Sequence, residues 1–188
     1  ICIDTSNAVY SALSEQSVRV EGTTIAHQPY TMKLEASGPA GYQTVSMVGI
    51  RDRRVLADPL LWVDAVAQAG VEKLEKAGVP RNSYDFWIRP FGYNGISGMD
   101  VAEGYIPNEI LVVLTVTAET QEKATQIAKA FNPLLLHHNI FEGKQMPSYG
   151  FLFSPAEMER GVIYEFKLYH TVALDDPLEL IRFAYDSI

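Results

Sequence analysis

Nine consecutive residues, Ile110-Leu111-Val112-Val113-Leu114-Thr115-Val116-Thr117-Ala118, constrain the fold more than any other stretch of this chain. They are apolar or β-branched on both alternating faces. A strand made of them belongs in the middle of a sheet, with helices covering at least one side. The aromatic run Tyr84-Asp85-Phe86-Trp87-Ile88-Arg89-Pro90 reads as a second strand. Between the two lie residues 92–108, which include Gly92, Gly95 and Gly98. That connection is long for a compact domain, and long ordered loops tend to carry function or meet a partner.

The flanking segments supply the other layers. Residues 42–50 read as a strand that follows a Gly- and Pro-rich turn over 37–41. Asp58 then stands as an N-cap with Pro59 at the first helical position. Val63, Val66, Ala67, Gly70, Val71, Leu74 and Ala77 recur on one face of the helix 59–77, and Gly78 stops it. Its small residues Ala67, Ala69 and Gly70 permit close approach. A second helix over 120–131 starts at Thr120, and Asn132-Pro133 kinks or restarts it. Residues 141–148 read as a polar loop and 149–153 as a short strand. Over 162–174, Val162, Tyr164, Phe166, Leu168, His170, Val172 and Leu174 alternate with Glu165, Lys167 and Thr171, which predicts a long strand with one wet face. Asp176 and Glu179 have capping-box spacing for a last helix docked by Leu180, Ile181 and Ala184. At the other end, residues 1–41 read as N-terminal strands, alternating over 17–22 and 31–36.

The order strand, helix, strand, strand, helix, strand predicts an α+β class. Its expected form is a ferredoxin-like split βαβ layer over 42–188, a mixed or antiparallel sheet with helices on one face, plus the extra N-terminal strands, in one domain. The alternative is a larger mixed sheet that also takes in strands from residues 1–36.

Composition removes several classes. At 47% hydrophobic and 20% charged, the chain can bury a core and is not disordered. Its net charge of −8 argues against nucleic acid or an anionic membrane as main partner. The one cysteine, Cys2, excludes an internal disulfide framework and fits a reducing cytoplasm. No apolar run reaches the roughly 18 residues of a membrane span. The chain begins at Ile1, without a signal-peptide pattern, and is expected to be a processed subunit, a fragment or a chain whose leader was removed.

The chemistry-bearing candidates are few, and each has a plain structural reading beside it. Gly92, Gly95 and Gly98, with Arg89 just before them, offer backbone donors for a phosphate or carboxylate. Nucleotide motifs run directly into a helix and this loop does not, so a loop packed on a second subunit competes. Arg51 and Arg53, with Arg54, can hold an anion, against the reading of a solvated turn with surface ion pairs. His170 sits in the apolar phase of its strand, as a core histidine or as a site residue that titrates near neutrality. Asp100 and Glu103 are available as acid or base, with nothing in the sequence to aim them. His137 and His138 point about 100° apart on a helix and suit its C-terminus better than a shared metal. No metal site and no cofactor are expected, and Gly95-Ile96-Ser97-Gly98 is not a nucleophile elbow.

Several pieces taken together resemble the later half of the acyclic terpene utilisation (AtuA-type) family. They are Ser17–Gly22, then His27-Gln28-Pro29-Tyr30-Thr31-Met32-Lys33, then Gly41-Tyr42 leading into a strand and the 59–77 helix, and finally Leu111 to Leu136 with its Thr-bearing turn and Pro133-Leu134-Leu135-Leu136. The resemblance covers about two-thirds of the chain, and none of its pieces is specific alone. It implies a C-terminal domain or small subunit of an enzyme of acyl-CoA or small carboxylic acid catabolism, lyase- or hydratase-like. The site would be shared with a larger N-terminal region or partner subunit, in a homo- or hetero-oligomer. Lys33, in Pro-x-x-x-Lys, is the polar position carried over as functional. The expected anionic-substrate cleft is lined by Lys33, Arg51, Arg53, Arg89 and the 92–104 loop. The competing expectation is a non-catalytic oligomerisation module.

Overall fold

The run at 110–118 is the middle of the sheet, as its two apolar faces require. The computed structural model describes residues 2–142 and 149–185. In chain order the strands are β1 (Cys2–Asp4), β2 (Val9–Ser14), β3 (Ser17–Glu21), β4 (Thr24–Ala26), β5 (Tyr30–Ile50), β6 (Tyr84–Phe91), β7 (Ile110–Ala118), β8 (Tyr149–Phe151) and β9 (Glu157–Leu174). The helices are α1 (Arg53–Ala57), α2 (Pro59–Lys76) and α3 (Gln121–His137). No helix among the described residues is long and apolar enough to cross a membrane.

The chain divides into two compact units, residues 38–165 and residues 1–37 with 166–188. The larger unit is an α+β layer. Its strands run β6-β7-β5-β8, every pairing antiparallel, and β9 also pairs with β5. β7 therefore lies between β5 and β6. One face of this sheet presents Val48, Ile50, Val112, Leu114 and Val116 to α2 and α3, and these side chains join the helices in one core.

Local chemistry explains the helices. The Asp58 carboxylate accepts from Leu61 N at 3.0 Å and Pro59 opens α2, while Thr120 Oγ1 accepts from Lys123 N at 3.2 Å and opens α3. Gly78, at φ +77°, follows the end of α2. The close approach offered by Gly70 is to α3: a Cβ there would stand 2.0 Å from Phe131 Cε1. Phe131 in turn packs on Phe86, ring centroids 4.8 Å apart. α3 does not break at Pro133. It continues to His137, with one backbone donor missing, and Lys73 Nζ donates to the Ala130 carbonyl in that turn at 2.8 Å. A polar seam joins α3 to both long strands. Gln121 donates to buried Thr44 Oγ1 at 2.8 Å and accepts from Gly161 N at 3.0 Å, and Thr125 Oγ1 donates to Glu159 at 2.9 Å.

The smaller unit is made of ribbons. β1 pairs with β4 and β2 with β3 as separate two-stranded sheets, and every residue of these strands is exposed. Leu174 is the one buried residue among those described in this unit.

Three local expectations are corrected. The turn expected over 37–41 is extended, because β5 runs unbroken through it. Pro39 precedes the segment Tyr42–Ile50 that pairs with β7, so its missing N–H costs no bond in that ladder. The strand at 162–174 begins earlier, at Glu157, and its apolar phase is exposed from Val162 to His170, Phe166 at 73%, and is buried only at Leu174. The last helix is absent among the described residues. Asp176 Oδ1 does accept from Leu178 N at 2.7 Å, but turns follow, and Leu180 and Ile181 are exposed. A short helix needs an apolar face packed on something, and these residues have none. Of the polar loop expected at 141–148, residues 143–148 lie outside the described residues.

Candidate functional site

The register of the larger unit brings four strand ends together. Gly49 pairs with Leu111 and with Gly150, Ile50 with Ile110 and Tyr149, and Phe91 with Leu111. An open cleft of about 730 Å³ forms there. Its walls are Ile50, Phe91, Ile110, Leu111 and Leu152, and its polar groups are Arg51, Glu109 and Tyr149, with Gly92 on the rim. A mostly apolar concavity with a few converging polar groups is the usual form of a small-molecule site.

Two glycines hold the cleft open. Gly49 and Gly150 are cross-strand partners, so two adjacent positions carry no side chain. Nothing lies within 4 Å of a Cβ built on Gly150. The missing side chains therefore leave space in the cleft and answer no steric demand of the fold. A glycine inside a strand is the sequence signal for such a place.

Asp52 and Arg54 organise the margin. The Asp52 carboxylate accepts from Arg54 N at 3.0 Å, as N-cap of α1, and pairs with the Arg54 guanidinium at 2.7 Å. Arg54 also lies 5.2 Å over the Phe141 ring. Burial pushes the Tyr149 phenol well above its ordinary range, the Asp52 carboxylate adds to the rise and Arg54 opposes it. Tyr149 therefore serves as a neutral hydrogen-bonding group. Its ring meets Trp62 edge-on, with centroids 5.4 Å apart, and Trp62 Nε1 donates to the His138 carbonyl at 3.0 Å.

The glycine loop is folded back on itself. Gly95 N donates to the Pro90 carbonyl at 2.9 Å, and Tyr105 Oη to the Gly92 carbonyl at 3.1 Å. Tyr93 and Tyr105 stack with centroids 6.1 Å apart. Gly95 is buried, and a Cβ there would stand 2.7 Å from Phe91 N, so that glycine serves the turn. Gly98 is exposed at φ +64° with open space around it.

The sequence candidates separate accordingly. Arg51 and Gly92 line the cleft. Arg89 is exposed on β6, its guanidinium 5.2 Å from the ring of the cleft residue Phe91. Arg53 is exposed at the start of α1, and Asp100 and Glu103 are exposed on the loop. Lys33 and His170 belong to the smaller unit. There Lys33 pairs with Glu35 and sits 4.5 Å over the Tyr169 ring, and His170 is exposed, not a core histidine. Among the described residues no group of three His, Cys, Asp or Glu side chains is placed to hold a metal ion. Sequence reasoning missed Gly49, Glu109, Tyr149 and Gly150. Compared with known proteins, the chain matches no family model, no curated protein and no solved structure.

Proposed function

We propose that this chain is the substrate-binding domain or small subunit of a cytoplasmic catabolic enzyme that acts on an acyl-CoA or a small carboxylic acid. The observation that carries the reading is the strand-end cleft, where Arg51 and Gly92 stand among apolar walls. A guanidinium suits a carboxylate or phosphate, Glu109 accepts from a hydroxyl or amide, and the walls suit an acyl chain. The fold is proposed to be the ferredoxin-like split βαβ layer, supported by the order β6-β7-β5-β8 with α2 and α3 as connections. That fold hosts many functions, so the cleft and not the fold bears the weight. The resemblance to the acyclic terpene utilisation family points to the same substrate class. Asp100 and Glu103, on the loop that Gly92 opens, are the proposed proton-transfer candidates of a lyase- or hydratase-type step completed by another chain or domain.

The test is titration of the chain with short-chain acyl-CoA thioesters and the matching free acids, followed by calorimetry. Arg51→Ala should weaken binding about tenfold or more, the scale of a lost charged hydrogen bond. Gly150→Leu should fill the cleft and abolish binding with the fold intact. Unchanged affinity in both variants rejects the site. A second reading, a non-catalytic oligomerisation module, is supported by the exposure of β1–β4 on all their residues.

A further inference from the structure

Strand register carries the floor of the cleft beyond Phe91, along the face of the larger sheet that lies away from α2 and α3. Phe91, Leu111, Gly49 and Gly150 stand opposite one another in one cross-strand row, and therefore on one face. Two residues back along β6 the same face presents Arg89, opposite Val113. Two residues further back it presents Trp87, opposite Thr115. Same-face neighbours on a strand are about 7 Å apart, so Trp87 stands about 14 Å along the sheet from Phe91.

Three features of this row point to a ligand. The chain has two tryptophans, and Trp62 is 0% exposed while Trp87 is 57% exposed. Val113 and Thr115 beside it are short and at most 9% exposed, so the indole and the Arg89 guanidinium rise from a low floor. Among the described residues neither Arg89 nor Arg51 has a carboxylate partner, whereas Arg54 is paired with Asp52. In a chain of net charge −8, two unpaired guanidinium groups around one cleft are a local site for an anion. The size of the cleft adds to this. At about 730 Å³ it suits a ligand of many atoms, and a short carboxylic acid would leave most of it empty.

We propose that the ligand is the CoA thioester and not the free acid, with its acyl arm in the cleft, its phosphates at Arg89 and its adenine stacked on Trp87. The inference rests on the cleft reading and names which of its two substrate classes the site takes. Along the face the order is apolar cleft, cation, flat ring. That is the order of acyl arm, phosphate and base in the thioester. A guanidinium holds phosphate through paired N–H donors, and an exposed indole stacks a base through its π-face. Trp87 is then the residue that tells the nucleotide thioester from smaller acids, which are too short to reach it.

Calorimetry with butyryl-CoA, butyryl-pantetheine and ADP tests the assignment. Butyryl-CoA should bind about tenfold or more tighter than butyryl-pantetheine, the scale of one stacked base. Trp87→Ala, at an exposed position, should remove that advantage and leave butyryl-pantetheine unchanged, and Trp87→Phe should restore most of it. Arg89→Gln should likewise weaken butyryl-CoA alone. ADP should quench the Trp87 fluorescence, and Gly150→Leu, which blocks the cleft, should spare that quenching. Equal wild-type affinity for the two thioesters overturns the inference, as does a CoA preference that survives Trp87→Ala. ADP binding that leaves Trp87 unquenched, or that Gly150→Leu abolishes, also overturns it. Butyryl-pantetheine that binds with no preference for CoA sinks this inference alone and leaves the cleft standing, whereas failure of both thioesters to bind rejects the cleft as well.

Discussion

The two units use the same strand chemistry with opposite results. β7 and the β2–β3 ribbon both carry β-branched residues, Val112, Val113 and Val116 in one and Val9, Val18 and Val20 in the other. β7 is buried from Val112 through Ala118, and the ribbon is exposed throughout. The difference lies in what stands next to each. α2 and α3 present Trp62, Val66, Ile127 and Phe131 to the larger sheet, and these four are at most 2% exposed. Among the described residues, the ribbons of the smaller unit have no helix in their own unit. Burial of apolar surface is a property of paired layers and cannot be read from one strand.

The largest test of this contrast is a pair of phenylalanines. Phe131→Ala empties the space between Gly70 and Phe86 and should cost about 3–5 kcal/mol in chemical denaturation. Phe166→Ala, at an exposed site, should leave the unfolding of the larger unit within about 0.5 kcal/mol. Equal losses would erase the distinction between the units.

A smaller effect comes from over-filling. Gly70→Ala places a methyl against the Phe131 ring and should cost about 1–3 kcal/mol, despite alanine's better helix propensity. A stabilised variant would mean that the α2–α3 contact is loose.

Alkaline pH separates buried from exposed tyrosines. Tyr149 and Tyr84 are both raised above 10.0 by burial, and in both the folded state holds its proton more tightly than the unfolded chain. Their contribution is fully present below about 10 and is lost as pH rises from there toward the folded values, by up to about 1.4 kcal/mol per pH unit for each group. Tyr149→Phe should flatten the alkaline limb of a stability profile. An unchanged slope would place that tyrosine in water.

The smallest comparison lies within the loop. Gly98→Ala strains a left-handed residue in open space and should cost about 1 kcal/mol, with cleft affinity unchanged. Gly95→Ala, against backbone at 2.7 Å, should cost more and loosen the loop. If Gly98→Ala alone abolished binding, the loop and not the strand ends would hold the ligand.

The helix starts at Asp58 and Thr120, the stop at Gly78 and the central position of residues 110–118 were legible because each rests on local hydrogen bonding or on periodicity within one element. Arg51 and Gly92 were legible as polar or flexible residues at strand ends. Trp62, Tyr149 and the glycine pair were not, since their meaning depends on which residue faces them across the sheet or helix layer. The failed helix after Asp176 shows the same limit from the other side. Its capping signal is real at Leu178 N, but a cap cannot supply the apolar layer that a short helix needs.

By itself, then, the sequence determined the α+β class, the capped starts of α2 and α3 and the central place of β7, because these follow from backbone hydrogen bonding and from spacing along the chain. Only the tertiary structure decided that Gly49 meets Gly150 and that Arg51 shares a cleft with Tyr149, because cross-strand register joins residues far apart in sequence. It also decided that Tyr10, Val18 and Val20 of the ribbon and Tyr164, Phe166 and Leu168 of β9 stay exposed among the described residues, because covering a face requires a second layer that no strand encodes alone.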